Sequence, residues 1–547
     1  MHRIISRALA LGACAAGSCM AAGAAPPPPT PTSSLMVVSS FTGPVAQSEI
    51  DSFKAYIATI TPATSNIGNA WAQGASGEEL KAMGLVYEIS RDTAILDRML
   101  VYCDAVLAAR NDLAPSPIGQ YVLWTGRVDP AWPNDVSTQP IGTGGEQGDP
   151  TGHLGNCARQ VLQTPSIWHD TVPGGDPHKY GKTYLARAKK YLAQADYAWD
   201  HHILASLLDL SDANLYKFSS AGPYKPGEPV PWNQQMMFDY GLQNLAECHW
   251  ILGDDPARAT HYAAIMQANI DSFFQAGMTP YTDKDHRPAY DWAYALPAKT
   301  GEDSNHGSLD VAGFHRAFVS GQYGLTTAQM TTFANTFSDV MDRGPQDYSG
   351  RVDGTDGDGH SAPTTYIRSG FLLLAQFRPD AYVGMMSADL TPGVGTTAID
   401  RFSRFLWTKN QLYPMASSNL ALHKPASAST EYSSSYAAAA ADDGSTTTRW
   451  SAAAVAGQWW QVDLKNVRFV TQLVFKEYRS RVTAYSVLTS TDGVVWSTAY
   501  RGTKAASQVD TTTTVQLANP TVARYVKLSF DTSVDKPTFW EFQVLGH

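Results

Sequence analysis

The segment EDSNHGSLDVAGFHRAF, Glu302 to Phe318, decides how the larger part of the chain folds. Its second half spaces Val311, Phe314 and Phe318 three and four apart, the period of a helix with a buried face. Its first half gathers Glu302, Asp303, Asn305 and His306 at the helix start. Ser304 or Asn305 can cap the free N–H groups there, and acids are favoured at a helix N-terminus. The same chemistry also suits a helix end that faces a substrate.

The pattern recurs along the chain. NAWAQG from Asn69, GDPTGHLGN from Gly148, VPWNQQ from Val230 and HSAPTTYIR from His360 each lead polar or aromatic residues into an apolar helix. A more ordinary amphipathic helix lies between successive clusters. The alternation predicts helix pairs, roughly ten to twelve helices in all, closed into a ring. Inner helices would be buried on both sides, and their polar starts would gather at one mouth.

The character changes after Met415. QWWQVDLK, VTQLVFKEY, TAYSVLTSTDGVVW, TTTVQLA, RYVKLSF and FWEFQVLG alternate in the period of strands, with turn signals between them. Such spacing reads as an antiparallel sandwich.

At 547 residues the chain exceeds one ordinary core. It is 44% hydrophobic and 16% charged, with a net charge of −10 and no Lys/Arg-rich run. Nucleic acid and anionic membrane surfaces are therefore poor partners. MHRIISRALALGACAAGSCMAAGAA has a basic start, a short apolar run and a small-residue cleavage site, Ala22-Gly23-Ala24. It reads as a secretory signal and not as a membrane span, which places the protein outside the cytoplasm or in the periplasm. Cys14 or Cys19 offers lipid anchoring as an alternative. Of the five cysteines, Cys103, Cys157 and Cys248 follow the signal, all in apolar helical patterns. Buried free thiols are the preferred reading, with one disulfide plus one free thiol as the alternative.

The C-terminal segment resembles the F5/8 type C, or discoidin, domain, which includes the family 32 carbohydrate-binding modules. NLALHKPASAS, ADDGSTTTRWSA, WWQVDLK, YSVLTSTDGVVW, RYVKLSF and EFQVLG carry the resemblance in order. It implies a jelly-roll sandwich with a structural Ca2+, for which Asp443, Thr448 and Glu541 fit the ligand pattern. It also implies a glycan ligand at one edge, where Tyr432, Tyr478, Arg479, Arg481 and Trp540 are candidates. The helical region looks like the (α/α) toroids of polysaccharide lyases and glycoside hydrolases, a likeness of architecture that assigns no reaction.

The expected protein is thus multidomain: an all-α (α/α)6-type toroid followed by an all-β discoidin-like jelly roll. Its boundaries are a signal peptide at 1–25, a linker at 26–45, the toroid at 46–415 and the sandwich at 418–547. The expected function is cleavage of a polysaccharide.

A lyase acting on a uronic acid polymer is preferred. It needs a group to neutralise the carboxylate, a base, and an acid for the leaving oxygen. His306 and Tyr366 would move protons, and Asn233 or Asn305 with Arg368 would hold the uronate. A hydrolase needs two carboxylates across the bond. Glu302, Asp303, Asp310 and Asp149 are its candidates. His153, Asn156, Trp232, Gln234, Asn305, Trp71 and Trp124 are expected to bind substrate, the tryptophans by stacking. A non-catalytic glycan-binding protein is the reading from another class. No cofactor is expected for catalysis.

VDGTDGDGH, Val352 to His360, spaces aspartates like a calcium loop but lacks the downstream glutamate, so it reads as a solvated turn. No P-loop, dinucleotide fingerprint, G-x-S-x-G elbow or HExxH is present.

Overall fold

The computed structural model describes residues 35–212, 216–413 and 418–546. The expected signal peptide and the first part of the expected linker, 26–34, lie outside the described residues.

Twelve α-helices fill the described part of the first region. They are α1 Gln47–Ile57, α2 Gly68–Ala72, α3 Ala75–Ser90, α4 Thr93–Ala108, α5 Gly148–Leu162 and α6 Tyr184–Ala198. The rest are α7 Trp232–Leu252, α8 Pro256–Ser272, α9 Ser304–Ser320, α10 Thr327–Asn335, α11 Tyr382–Ser387 and α12 Ile399–Leu412. Short strands interrupt them: β1 Met36–Val37, β2 Leu208–Asp209, β3 Lys217–Phe218, β4 Met278–Thr282, β5 Pro288–Trp292 and β6 Gly395–Thr396.

The packing order closes on itself. Helix α3 packs on α5, α5 on α7, α7 on α9, and α9 on a 3₁₀ segment, Ser369–Phe377. That segment packs on α12, and α12 returns to α3. Helices α4, α6, α8 and α10 lie against these from a second layer. Every residue of α7 from Trp232 to Ala246 is buried, which is why its sequence shows no polar stripe.

The apolar run that follows HSAPTTYIR, expected as a helix, winds instead as 3₁₀ over Ser369–Phe377. A side chain at Gly370 would collide with the backbone of Ser308 on α9, so the two chains meet where only glycine fits. The β4–β5 hairpin was also not foreseen. Its polar alternation is weak, with Pro at two of ten positions.

The described part of the expected linker, from Leu35, is packed onto the helical region. Strand β1 pairs antiparallel with β6, and Met36, Val38 and Val45 are buried. Glu49 of α1 and Lys409 of α12 form an ion pair at 2.8 Å, with side chains 0% and 1% exposed. Cys103 of α4 is bonded to Cys157 of α5, and Cys248 is free and buried. The sequence alone favours three free thiols. The helix packing brings the first two to a Cα separation of 6.7 Å, within disulfide reach.

The second region is a β domain with β7 Ser418–Asn419, β8 Ala426–Ala428, β9 Trp450–Ser451 and β10 Gln458–Glu477. It continues with β11 Val482–Ser490, β12 Ser497–Thr503, β13 Thr511–Ser533 and β14 Thr538–Gly546. The main sheet runs β12-β11-β13-β10-β14-β7, all antiparallel, with β8 on β10 and β9 on β14. Trp450, Trp460, Phe475, Phe530, Phe539 and Phe542 fill its own core. Among the described residues no helix is long and apolar enough to cross a membrane.

Candidate functional site

The chemistry gathers at the starts of α5, α7, α9 and the 3₁₀ segment. Residues 302–304 are fixed first by backbone. Glu302 N donates to Trp292 O at 2.6 Å, and Ser304 N donates to Gly350 O at 2.7 Å. Asp303, not Ser304 or Asn305, is the N-cap of α9. Its Oδ1 accepts from Asn305 N at 2.9 Å and from His306 N at 3.0 Å. Its Oδ2 lies 2.6 Å from His306 Nδ1. Burial alone would raise this carboxyl, but the hydrogen bonds and charge of His306 hold it below the usual range.

Two aromatic partners flank the imidazole. The Tyr294 ring is 4.8 Å from that of His306, and the His360 ring is 5.3 Å away. Burial, then the charges of Tyr224 and Glu302, push the Tyr294 phenol above its ordinary value, so it keeps its proton. Arg368 Nη1 donates to Asn305 Oδ1 at 2.9 Å and its Nε to Ser304 Oγ at 3.0 Å. One helix start therefore holds an oriented histidine, a protonated tyrosine, an arginine and an asparagine.

Glu302 is placed differently from its expected role. It is 1% exposed, its Oε1 accepts from Asp303 N, and its Oε2 has no partner. Burial, then Asp310 and Asp303, raise its carboxyl. Asp310 is also enclosed and accepts from Trp292 Nε1 at 2.8 Å. Neither can touch a substrate as placed, so both leave the set of direct catalytic candidates.

The α5 side contributes a residue the sequence reading missed. Glu146 sits on a 3₁₀ turn, Gly145–Gln147, that runs into α5. Its carboxyl is pushed up to about 7, chiefly by burial. Gln234, on the first turn of α7, donates to Tyr224 OH at 2.8 Å and packs on Gly145, where a side chain would collide with it. Tyr224 feels the charge of Glu146, and Tyr294 feels that of Tyr224. The three helix starts thus share one electrostatic neighbourhood.

Several expected residues lie elsewhere. His153 is fully enclosed, 2.6 Å from the Trp71 carbonyl through Nε2, and burial pushes it down to about 3. Trp71 is itself enclosed and donates to Ser65 O. Trp232 packs edge-on against Phe273. Asn156 is spent on Tyr240 OH at 3.0 Å and on Arg159. These four side chains belong to the wall, because each lies on a helix face that is buried against neighbouring elements.

Asn233 is buried, with Oδ1 unpartnered. Trp124 is half-buried, edge-on to His202 at 5.1 Å. Tyr366 is 39% exposed between the guanidiniums of Arg368 and Arg401, apart from the tyrosine that neighbours His306. Asp149 is 1% exposed and paired with Lys81 at 3.2 Å. In the aspartate loop, Asp356 pairs with Arg343 at 2.9 Å and Asp353 caps Thr355, as a solvated turn should.

In the β domain, both carboxylate oxygens of Glu541 are buried and without partners, as is Oδ2 of Asp442. Each carboxyl is pushed up to about 7, by burial and then by the acidic neighbours, Asp443 among them. Thr448 donates to Asp443 Oδ2 at 2.7 Å, so it holds Asp443 in place. At one edge, Arg449 lies over the rings of Tyr436, Tyr478 and Trp540 at 5.1, 4.4 and 4.8 Å. Lys536 lies 4.6 Å over Tyr432, which is 57% exposed.

Residues 425–542 match the family model of the F5/8 type C domain. Chitosan-binding module 1 of a chitosanase/glucanase from Paenibacillus sp. IK-5 is 27% identical, over 24% of this chain and 99% of its own, with a TM-score of 0.22. A family 32 module from C. perfringens, solved with galactose, is 21% identical, over 24% of this chain and 98% of its own, with a TM-score of 0.22. A fucolectin from striped bass serum is 20% identical, over 24% of this chain and 50% of its own, also at 0.22. No curated protein matches the chain.

Proposed function

We propose that this F5/8 type C domain is the glycan-holding part of a secreted enzyme, and that the helical region is an (α/α) toroid that cleaves a uronic-acid-containing polysaccharide by elimination. What supports the toroid is the closed packing order from α3 round to α12. What carries the reaction is the group at the start of α9: Asp303, His306 and Tyr294, with Arg368 and Asn305 beside them.

In this reading Asp303 holds Nδ1 of His306, which leaves Nε2 to accept the proton next to the uronate carboxylate. That electron pair forms the carbon–carbon double bond as the glycosidic C–O bond breaks. The Tyr294 phenol gives its proton to the leaving oxygen. Arg368 and Asn305 neutralise the carboxylate, which makes the abstracted proton more acidic. The disulfide between Cys103 and Cys157 fits an oxidising compartment and so supports secretion.

A second reading, hydrolysis, rests on Glu146. A carboxyl pushed up to about 7 suits a general acid, and ionised Asp303 would be its counterpart. Products separate the readings. Cleavage of a uronide polymer that creates ultraviolet-absorbing unsaturated ends supports elimination. Saturated reducing ends mean hydrolysis. Binding without cleavage across a broad glycan panel leaves a glycan-binding protein.

The edge around Arg449 supplies stacking rings and guanidinium donors for sugar hydroxyls. Tethering there raises the local concentration of polymer at the toroid mouth. Asp442 and Glu541, with Asp443 beside them, suit a structural Ca2+, since the partnerless buried carboxylate oxygens of the first two are what a hard cation takes. Asp442 joins the set expected from sequence, and Thr448 supports it through Asp443. Calcium at about a hundredfold above its Kd should stabilise the β domain by about 2.7 kcal/mol. Thermal unfolding with and without chelator checks this. Glu541→Gln should remove the calcium-dependent rise in Tm, and an unchanged rise would remove Glu541 from the site.

A further inference from the structure

We propose that Glu302, Asp303 and His306 form a site for a divalent transition-metal cation, with Zn2+ or Mn2+ as fitting ions, and that occupation of this site switches the proton acceptor off. Each residue offers one ligand atom, and the three atoms lie within 4.8 Å of one another. The backbone bonds of Glu302 and Ser304 to Trp292 and Gly350 fix the spacing before any ion arrives.

The second observation is the state of Glu302. It is 1% exposed, and its Oε2 has no hydrogen-bond partner. Asp310, one turn beyond His306, is fully enclosed and leaves Oδ1 without a partner too. Among the described residues no lysine or arginine forms an ion pair with Glu302, Asp303 or Asp310; the ion pair of Asp303 is with His306. Two enclosed carboxyl groups and a part-buried third, Asp303, thus lie together with an imidazole as the neighbouring base. Buried acids without counter-charge are costly, and a divalent cation removes that cost.

The donor set chooses the ion. One imidazole nitrogen with carboxylate oxygens suits Zn2+ or Mn2+, whereas Ca2+ and Mg2+ prefer oxygen alone. Coordination through Nδ1 replaces the Asp303–His306 hydrogen bond. It leaves the imidazole proton on Nε2, the nitrogen that must accept one during elimination. Metal binding stands on the geometry alone; the loss of turnover rests on the elimination reading given above.

The test uses the full chain in calcium-containing buffer, titrated calorimetrically with Zn2+ and separately with Mn2+. One Zn2+ per chain is expected. Affinity should fall about tenfold or more in Glu302→Gln and in His306→Ala, and should hold in Glu541→Gln. Circular dichroism reports folding of each variant, and Glu302→Gln keeps the acceptor for Asp303 N. No stoichiometric binding by the unmutated chain, or unchanged affinity in a folded Glu302→Gln variant, overturns the site. Zn2+ binding with undiminished cleavage overturns the switch.

Discussion

Replacing His306 by alanine is expected to lower cleavage by about two to four orders of magnitude, the usual worth of a positioned proton-transfer group. Folding should survive, because His306 is only half-buried and its side chain bonds to the N-cap of its own helix. Asp303→Asn gives a finer result. It keeps the cap acceptor for α9 but removes the charge that holds the imidazole, so turnover should drop while the Tm barely moves. Tyr294→Phe should also cut turnover with little change in KM, since it removes a proton and not a binding surface. Initial rates on a uronide polymer, with circular dichroism as the folding control, check all three. A His306→Ala variant with ordinary turnover would remove the proposed mechanism altogether.

The largest expected effect on stability is at Lys409. Its ammonium lies 2.9 and 2.8 Å from the two oxygens of Glu49, and neither side chain reaches solvent. Glu49 also accepts from the backbone N–H groups of Ser39 and Ala46, so one carboxylate ties α12, α1 and the entering chain together. Lys409→Met should cost about 3–5 kcal/mol, because it strands a buried carboxylate. The double change Lys409→Met with Glu49→Leu should recover part of that loss. Denaturant unfolding measures both. A loss under about 1 kcal/mol in Lys409→Met would mean that water reaches the carboxylate, as at an exposed pair.

The recurring polar starts of EDSNHG, GDPTGH and VPWNQQ were legible because helix capping and helix period leave marks within a few residues. They pointed to the end of the helical region where His306, Asn305, Arg368 and Gln234 gather. The choice among neighbours was not legible. Trp71, His153, Asn156 and Trp232 carry the right chemistry, yet their direction depends on which face of an inner helix meets which neighbour.

Tyr294 and Glu146 were missed for another reason. One follows a hairpin with weak alternation, and the other precedes its helix on a 3₁₀ turn just upstream of GDPTGHLGN. Their only local signals were the Trp-Ala-Tyr at the end of the strand and the glycines around Glu146. In the β domain, strand alternation and the order of the motifs sufficed for the fold. The adjacent acid Asp442 emerged only when Glu541, far along the chain in its C-terminal strand, came to face it.

The pairing of β1 with β6 bears on how the protein tolerates trimming. The strap from Leu35 to Val45 threads beside the last inner helix, so it acts as a latch on the seam where the helical circuit meets its own beginning. A cut within Leu35–Val45 would open that seam beside the buried pair of Glu49 and Lys409.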